Sequence, residues 1–171
     1  MAMYNSRMTR RRRPGLLIAC VGAALLVASC RSREVEKDLR ITDVNTGWYD
    51  AGIVEGQNKL VPSVSFRLRN VSEEGISKVQ LNAVFRAVNE PEKAWGDTMI
   101  RGIGSDELAP GDSGNRLVMR SPLGYTGIEP RLVMLKNSHF VDATVTVFGR
   151  HGSRNWTRLG EFSIDRQLLT E

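Results

Sequence analysis

Four stretches of the chain alternate apolar and polar residues with a period of two, the pattern of a β-strand with one buried face. Val64, Phe66 and Leu68 are interleaved with Ser65, Arg67 and Arg69, and Val79, Leu81, Ala83 and Phe85 with Gln80, Asn82 and Arg86. Val141, Ala143, Val145 and Val147 alternate with Asp142, Thr144 and Thr146, and the run from Trp156 to Ile164 places Phe162 and Ile164 on one side. Shorter candidates lie at residues 39–46, 48–54, 98–103, 116–120 and 131–135. Turn chemistry separates them at 70–75, 109–112, 124–127 and 149–155. In Pro110-Gly111 the proline fixes φ and the glycine accepts a positive one, as a type II turn requires. No long helical period follows residue 38. Some seven to nine short strands over about 130 residues predict an all-β domain, an antiparallel immunoglobulin-like β-sandwich, with a small β-barrel as the alternative.

The N-terminal segment has a different pattern. A basic run, Arg10 to Arg13, is followed by Pro14-Gly15 and a 14-residue apolar stretch from Leu16 to Ser29. Basic region, apolar region and small residues before a cut are the three parts of a secretory signal. An uncleaved span is the alternative, but crossing a bilayer takes about 20 apolar residues. This segment also explains the overall charge. The chain of 171 residues is formally +5 with a pI near 9.6, which invites a nucleic-acid reading. Five of its 24 Lys and Arg fall in residues 1–29, with no acid among them, so residues 30–171 carry 19 charges of each sign. A neutral body gives no electrostatic footprint for nucleic acid, and none is expected as a partner. The 142 residues of that body suit one domain that buries roughly 70% of its unfolded surface.

Val27-Ala28-Ser29-Cys30 resembles a bacterial lipobox, in which small residues precede a cysteine that becomes the first residue of the mature protein. The resemblance implies cleavage after Ser29, thioether attachment of a diacylglyceryl group to Cys30, and acylation of the new amino terminus. Val27 stands where Leu is commoner and Ser29 where Gly or Ala is, and both stay apolar or small. Leu17-Ile18-Ala19-Cys20 is a second such string, with almost no apolar region ahead of it. Two or three acyl chains make a stable tether where one binds only marginally. The expected organisation is therefore a signal peptide over 1–29, a lipidated polar tether over 30–38 and a β-sandwich over 39–171. Arg31 occupies the position where Asp, by family analogy, favours retention at the inner membrane, which points to the outer membrane in a two-membrane bacterium.

A second resemblance covers residues 62–118. The sequence VSFRLRNVSEEGISKVQLNAVFR, followed by ELAPGDS, is similar to FxLYD-type and related immunoglobulin-like modules of bacterial envelope proteins. Its carriers are Phe66, Leu68, Asn70, Ile76, Val79, Phe85, Leu108, Pro110 and Gly111. Trp95 and the EPEKAWGD insert depart from the pattern. The resemblance implies the fold and no activity, because such folds host many functions.

The search for reactive groups excludes more than it offers. Loss of Cys20 with the signal and lipidation of Cys30 leave no thiol for disulfide, zinc or nucleophile. Gly111-Asp112-Ser113-Gly114 looks like a protease nucleophile loop, but Asn115 follows where that pattern has Gly, and His139 and His151 both come after the serine. Those histidines are twelve residues apart, without a further ligand at metal spacing. Gly102-Ile103-Gly104-Ser105 lacks the lysine and the rest of a phosphate loop. No catalytic residue, metal or cofactor is expected. Ser121 to Pro130 places Tyr125 between two glycines in a loop. There it either presents contact area with a hydroxyl, as partner-binding tyrosines do, or folds back as a plug. The expected function is a lipid-anchored, non-catalytic binding or structural module of the envelope, held to the membrane at Cys30 and meeting an envelope protein through Tyr125. An envelope glycan hydrolase and a small-ligand carrier are the alternatives.

Overall fold

Two sheets face each other across one apolar core, as the period-two stretches require. The structure, a computed structural model, describes residues 34–169, so Cys20, the lipobox and Cys30 lie outside the described residues. A short helix α1 (Val35–Asp38) leads into β1 (Leu39–Val54) and β2 (Gln57–Asn70). There follow β3 (Val79–Ala87), β4 (Ala94–Ile103), β5 (Leu117–Arg120), β6 (Tyr125–Gly127), helix α2 (Arg131–Lys136), β7 (Ala143–His151), β8 (Thr157–Ser163) and β9 (Leu168–Leu169). One sheet runs β5-β2-β1-β9 with β6 also on β2, and the other runs β4-β3-β7-β8. All pairings are antiparallel except β1 with β9. The predicted β-sandwich is present, and the alternative of a closed barrel is not.

The core follows from the alternation. Val64, Phe66 and Leu68 of β2 meet Val79, Leu81, Ala83 and Phe85 of β3 and Val145 and Val147 of β7, all of them buried. Burial of this apolar surface is the main force holding the sheets together. The corner after β2 is fixed by one polar side chain. Asn70 is fully buried, and its amide donates to the carbonyls of Glu74 (2.8 Å) and Leu108 (2.9 Å). Its carbonyl accepts from the Ser72 N–H (2.9 Å) and hydroxyl (2.7 Å). Gly111, with φ of 79°, turns the Leu108–Ser113 segment so that its own N–H reaches the Asn70 carbonyl.

Pro62 explains a break in the first sheet. It lies buried in a central strand, where a missing N–H would ordinarily leave a gap in the ladder. On that side of β2 the partners change: β5 pairs with Ser63–Phe66 and β6 with Asn58–Leu60. The proline falls between them, and its carbonyl accepts from Ser121 N–H at 3.0 Å. The chain leaves the sheet there and returns at Tyr125.

Several elements differ from the sequence expectation. Residues 39–46 and 48–54 form one 16-residue strand, bent by register shifts at Thr42/Asn45 and Asp50/Ile53. Residues 131–135 are helix α2 instead of a strand. Val133 and Met134 donate back to Pro130 O, Met134 and Leu135 turn inward, and Leu132 and Val133 face solvent. An apolar run of this length fits either state, and packing decides it. The Gly124–Gly127 turn contains strand β6. The stretch read as tether is partly folded: Val35 is 4% exposed and joins the core, so the folded domain begins by Glu34.

Candidate functional site

The end of the sandwich where Pro62 interrupts the sheet carries a groove of about 340 Å³. Its walls come from separate places in the chain. β3 ends in Ala87, the β3–β4 connection supplies Asn89, Glu90 and Lys93, β4 opens with Ala94 and Trp95, the segment released at Pro62 brings Leu123 and Tyr125, and Val141 stands just before β7. The loop can lie against β4 because residue 96 is glycine: a Cβ there would stand 2.5 Å from Ser121 Oγ and 3.0 Å from Pro122 Cδ. Ser121 Oγ accepts from the Leu123 N–H (3.2 Å), and Lys59 Nζ donates to the Pro122 carbonyl (3.0 Å), fixing the loop's course.

Behind the groove stands a chain of aromatic rings. Tyr125 tilts onto Phe140 with centroids 4.8 Å apart, Phe140 meets Trp48 edge-on at 4.5 Å, and Trp48 meets Trp95 at 5.8 Å. Such tilted and edge-to-face contacts are favoured by the ring quadrupoles beyond their area alone. Trp48 and Phe140 are buried, whereas Tyr125 and Trp95 are half-buried and Leu123 is 52% exposed. The segment carrying Phe140 is clamped by Arg166, which donates to the Phe140 carbonyl (2.9 Å) and to both Asp142 oxygens (2.6 and 3.1 Å). The Asp142 carboxylate raises the pKa of that guanidinium. Nearby, Arg131 of α2 pairs with Asp50 of β1, and this contact, helped by the Gly52 N–H, holds the Asp50 carboxyl below its ordinary value against the opposing effect of burial.

The groove thus has an apolar, aromatic floor with Glu90 and Lys93 among its lining residues. That chemistry suits an apolar or planar group carrying a polar end. Tyr125 packs on Phe140 with one side of its ring and also lines the groove. Glu90 is the carboxylate of the groove lining among the described residues. Ser113 bridges to Arg69, beside the Asp112 carbonyl that accepts from Asn70 N–H, and so takes part in the corner. His139 lies in the turn after α2, where its N–H donates to Asn137 Oδ1 (2.9 Å), and His151 ends β7. Among the described residues no three His, Cys, Asp or Glu side chains converge on a point that could hold a metal ion. No helix among the described residues is long and apolar enough to cross a membrane.

Phe140 is the site residue that the sequence did not single out, and Trp95 reads there as either core or contact. Trp95 stood in an insert that broke the strand pattern, and its isolated aromatic character was the available signal.

No protein-family model and no curated protein matches the chain. A solved structure, the X-ray structure of Northeast Structural Genomics Consortium target SoR45, is similar over 77% of this chain and 89% of its own, at 11% identity and a TM-score of 0.46.

Proposed function

We infer that this chain is a lipid-anchored accessory protein of the bacterial cell envelope, a non-catalytic binding module facing the periplasm or the cell exterior. Lipid on Cys30 confines the domain to a membrane, the outer one where there are two, and raises its effective concentration near other envelope proteins. The observation that carries the binding role is the groove of Trp95 and Tyr125, whose rings are half-buried over a fixed aromatic base. Rigid aromatic surface with a polar edge is what partner-contacting residues supply at small entropic cost.

Two measurements on one strain test this reading. An alkyne-tagged fatty acid is expected to label the wild type and not Cys30→Ser, with the label in the membrane fraction. A photo-crosslinker at Leu123 is expected to capture an envelope protein in a Tyr125-dependent way. An unlabelled wild type overturns the anchor, and crosslinks unchanged by Tyr125→Ala overturn the contact. Small-ligand carriage is the second reading, favoured by the groove's volume of about 340 Å³, within the range of known ligand sites.

A further inference from the structure

We propose that the opposite end of the sandwich holds a binding site for the phosphate of an anionic membrane lipid, which seats the domain on the bilayer that anchors it. This inference rests on the lipid-anchor reading above. A pocket of about 430 Å³ opens where β3 begins and β4 ends, with Lys78, Gln80, Arg101, Ser105 and Gly152 among its lining. Gln80 pairs across the sheet with Arg101 on one side and Arg150 on the other, and Arg150 Nε donates to Gln80 Oε1 at 2.7 Å. Adjacent strands are about 4.8 Å apart, so the Cα atoms of the two arginines stand roughly 10 Å from each other. Lys78 lies two residues before Gln80. Lys78 and Arg101 are exposed and have no ion-pair partner among the described residues; Asp106, exposed beside Ser105, is paired with neither.

Like charges at this spacing repel weakly, and an anion lying between them turns that into attraction. Arginine forks suit phosphate oxygens, and lysine adds a mobile point charge. The backbone supports the arrangement. Lys78 is held at φ of 55° because its N–H donates to Gly104 O (2.7 Å) and its carbonyl accepts from Gly152 N–H (3.0 Å). A lysine kept in the left-handed region by both neighbouring segments is strained locally, a feature that collects at binding sites.

The position of α1 brings this end to the membrane. Val35 packs where a Cβ on Gly149 would lie, 3.0 Å from its Cγ1, and Gly149 pairs with Leu81 of β3. The N-terminus of the domain is therefore at the same end of the sheet as Lys78. Since the fold begins by Glu34, only Arg31, Ser32 and Arg33 separate it from Cys30. Fully extended, Cα to Cα, that link spans at most about 14 Å. The tether of 30–38 expected from sequence would have allowed about twice that. The charge screening length in physiological salt is about 8 Å, and the shorter link lets these cations come within the field of the headgroups.

The test uses the processed, lipidated chain carrying Ser105→Cys, whose added thiol is the one available for labelling because the Cys30 sulfur is held in its lipid thioether. It is reconstituted into vesicles of phosphatidylcholine alone or with about one third phosphatidylglycerol, and labelled with a water-soluble maleimide. Labelling is expected to slow about fivefold or more on the anionic vesicles, as about one strongly held cation predicts. The difference is expected to vanish in high salt and in the Lys78→Asn/Arg101→Gln variant, in which Asn suits the left-handed backbone. Equal rates on the two vesicles, with the fatty-acid label present on the protein, overturn this inference and leave the anchor standing. A chain without the label overturns both. Protection by inorganic phosphate on phosphatidylcholine vesicles, with none from phosphatidylglycerol, makes this a soluble-phosphate site and overturns the lipid assignment.

Discussion

The two ends of the sandwich are built from the same long strands and carry opposite chemistry. At the end where α1 enters, Lys78 just before β3 and Arg101 of β4 line a pocket, and Arg150 of β7 stands beside it on Gln80. At the other end Trp48, Trp95, Tyr125 and Phe140 stack beneath a groove flanked by the exposed Leu123. Strand β1 joins the two. From Leu39 beside α1 to Asp50, which pairs with Leu60 in the row of Tyr125, it covers about 35 Å at about 3.3 Å per residue. A sheet strand has an inner and an outer face along its whole length, but only its ends meet loops. The core between the ends is uniform and apolar, so difference between them has to come from the turns and from where the ladders stop.

The largest effect should come from removing the aromatic base of the distal end. Phe140→Ala deletes a buried ring that touches both Trp48 and Tyr125, and about 3–5 kcal/mol of unfolding free energy should be lost in a urea titration. If the loss is near zero, the ring cluster does not organise that end. Asn70→Ala tests the end where α1 enters in the same assay. It removes the acceptor of the Ser72 N–H and one donor from each of the Glu74 and Leu108 carbonyls, and about 2–3 kcal/mol should be lost. Restoration by no other small polar residue would confirm that geometry, not polarity alone, matters at that corner.

Smaller changes separate contact from support. Tyr125→Ala should cost about 1–2 kcal/mol because the ring is only half-buried, while Tyr125→Phe should stay within about 0.5 kcal/mol of wild type. Crosslinking at Leu123 should fall in the first variant by more than its stability explains. The smallest expected effect is the pH dependence contributed by the Asp50–Arg131 pair, which ties α2 to β1 at the distal end. Arg131 lowers the pKa of Asp50 in the folded protein, so the stabilisation is present at neutral pH and is lost as pH falls below about 4, through the folded-state value. With side chains 31% and 34% exposed, the pair should contribute less than about 1 kcal/mol. The stability difference between wild type and Asp50→Asn should be larger at pH 7 than at pH 3.

Strands β2, β3 and β7 were legible in the sequence because each sets one face against the core, and the period of two records that directly. Helix α2 was not, because six residues of mixed apolar character fit a strand or a helix turn equally well, and burial of Met134 and Leu135 selects the helix. Tyr125 stood out by its flanking glycines, while Trp95 and Phe140, 30 and 15 residues away from it in the chain, had nothing in their local pattern to join them to it.

The sequence by itself determined an all-β body, the places of its main turns, and the order of basic run, apolar run and cysteine at the N-terminus. Those properties are local: they depend on a residue and its near neighbours, and periodicity or composition is enough to read them. Only the tertiary structure decided that Pro62 divides the sheet edge so that Tyr125 and Trp95 line one groove, that Gln80 stands between Arg101 and Arg150, and that Val35 joins the core and leaves a shorter stretch of chain before Glu34 than the sequence suggested. Each of these is a pairing between distant segments, set by strand register and by which surface is left to bury once the sheets have closed on each other.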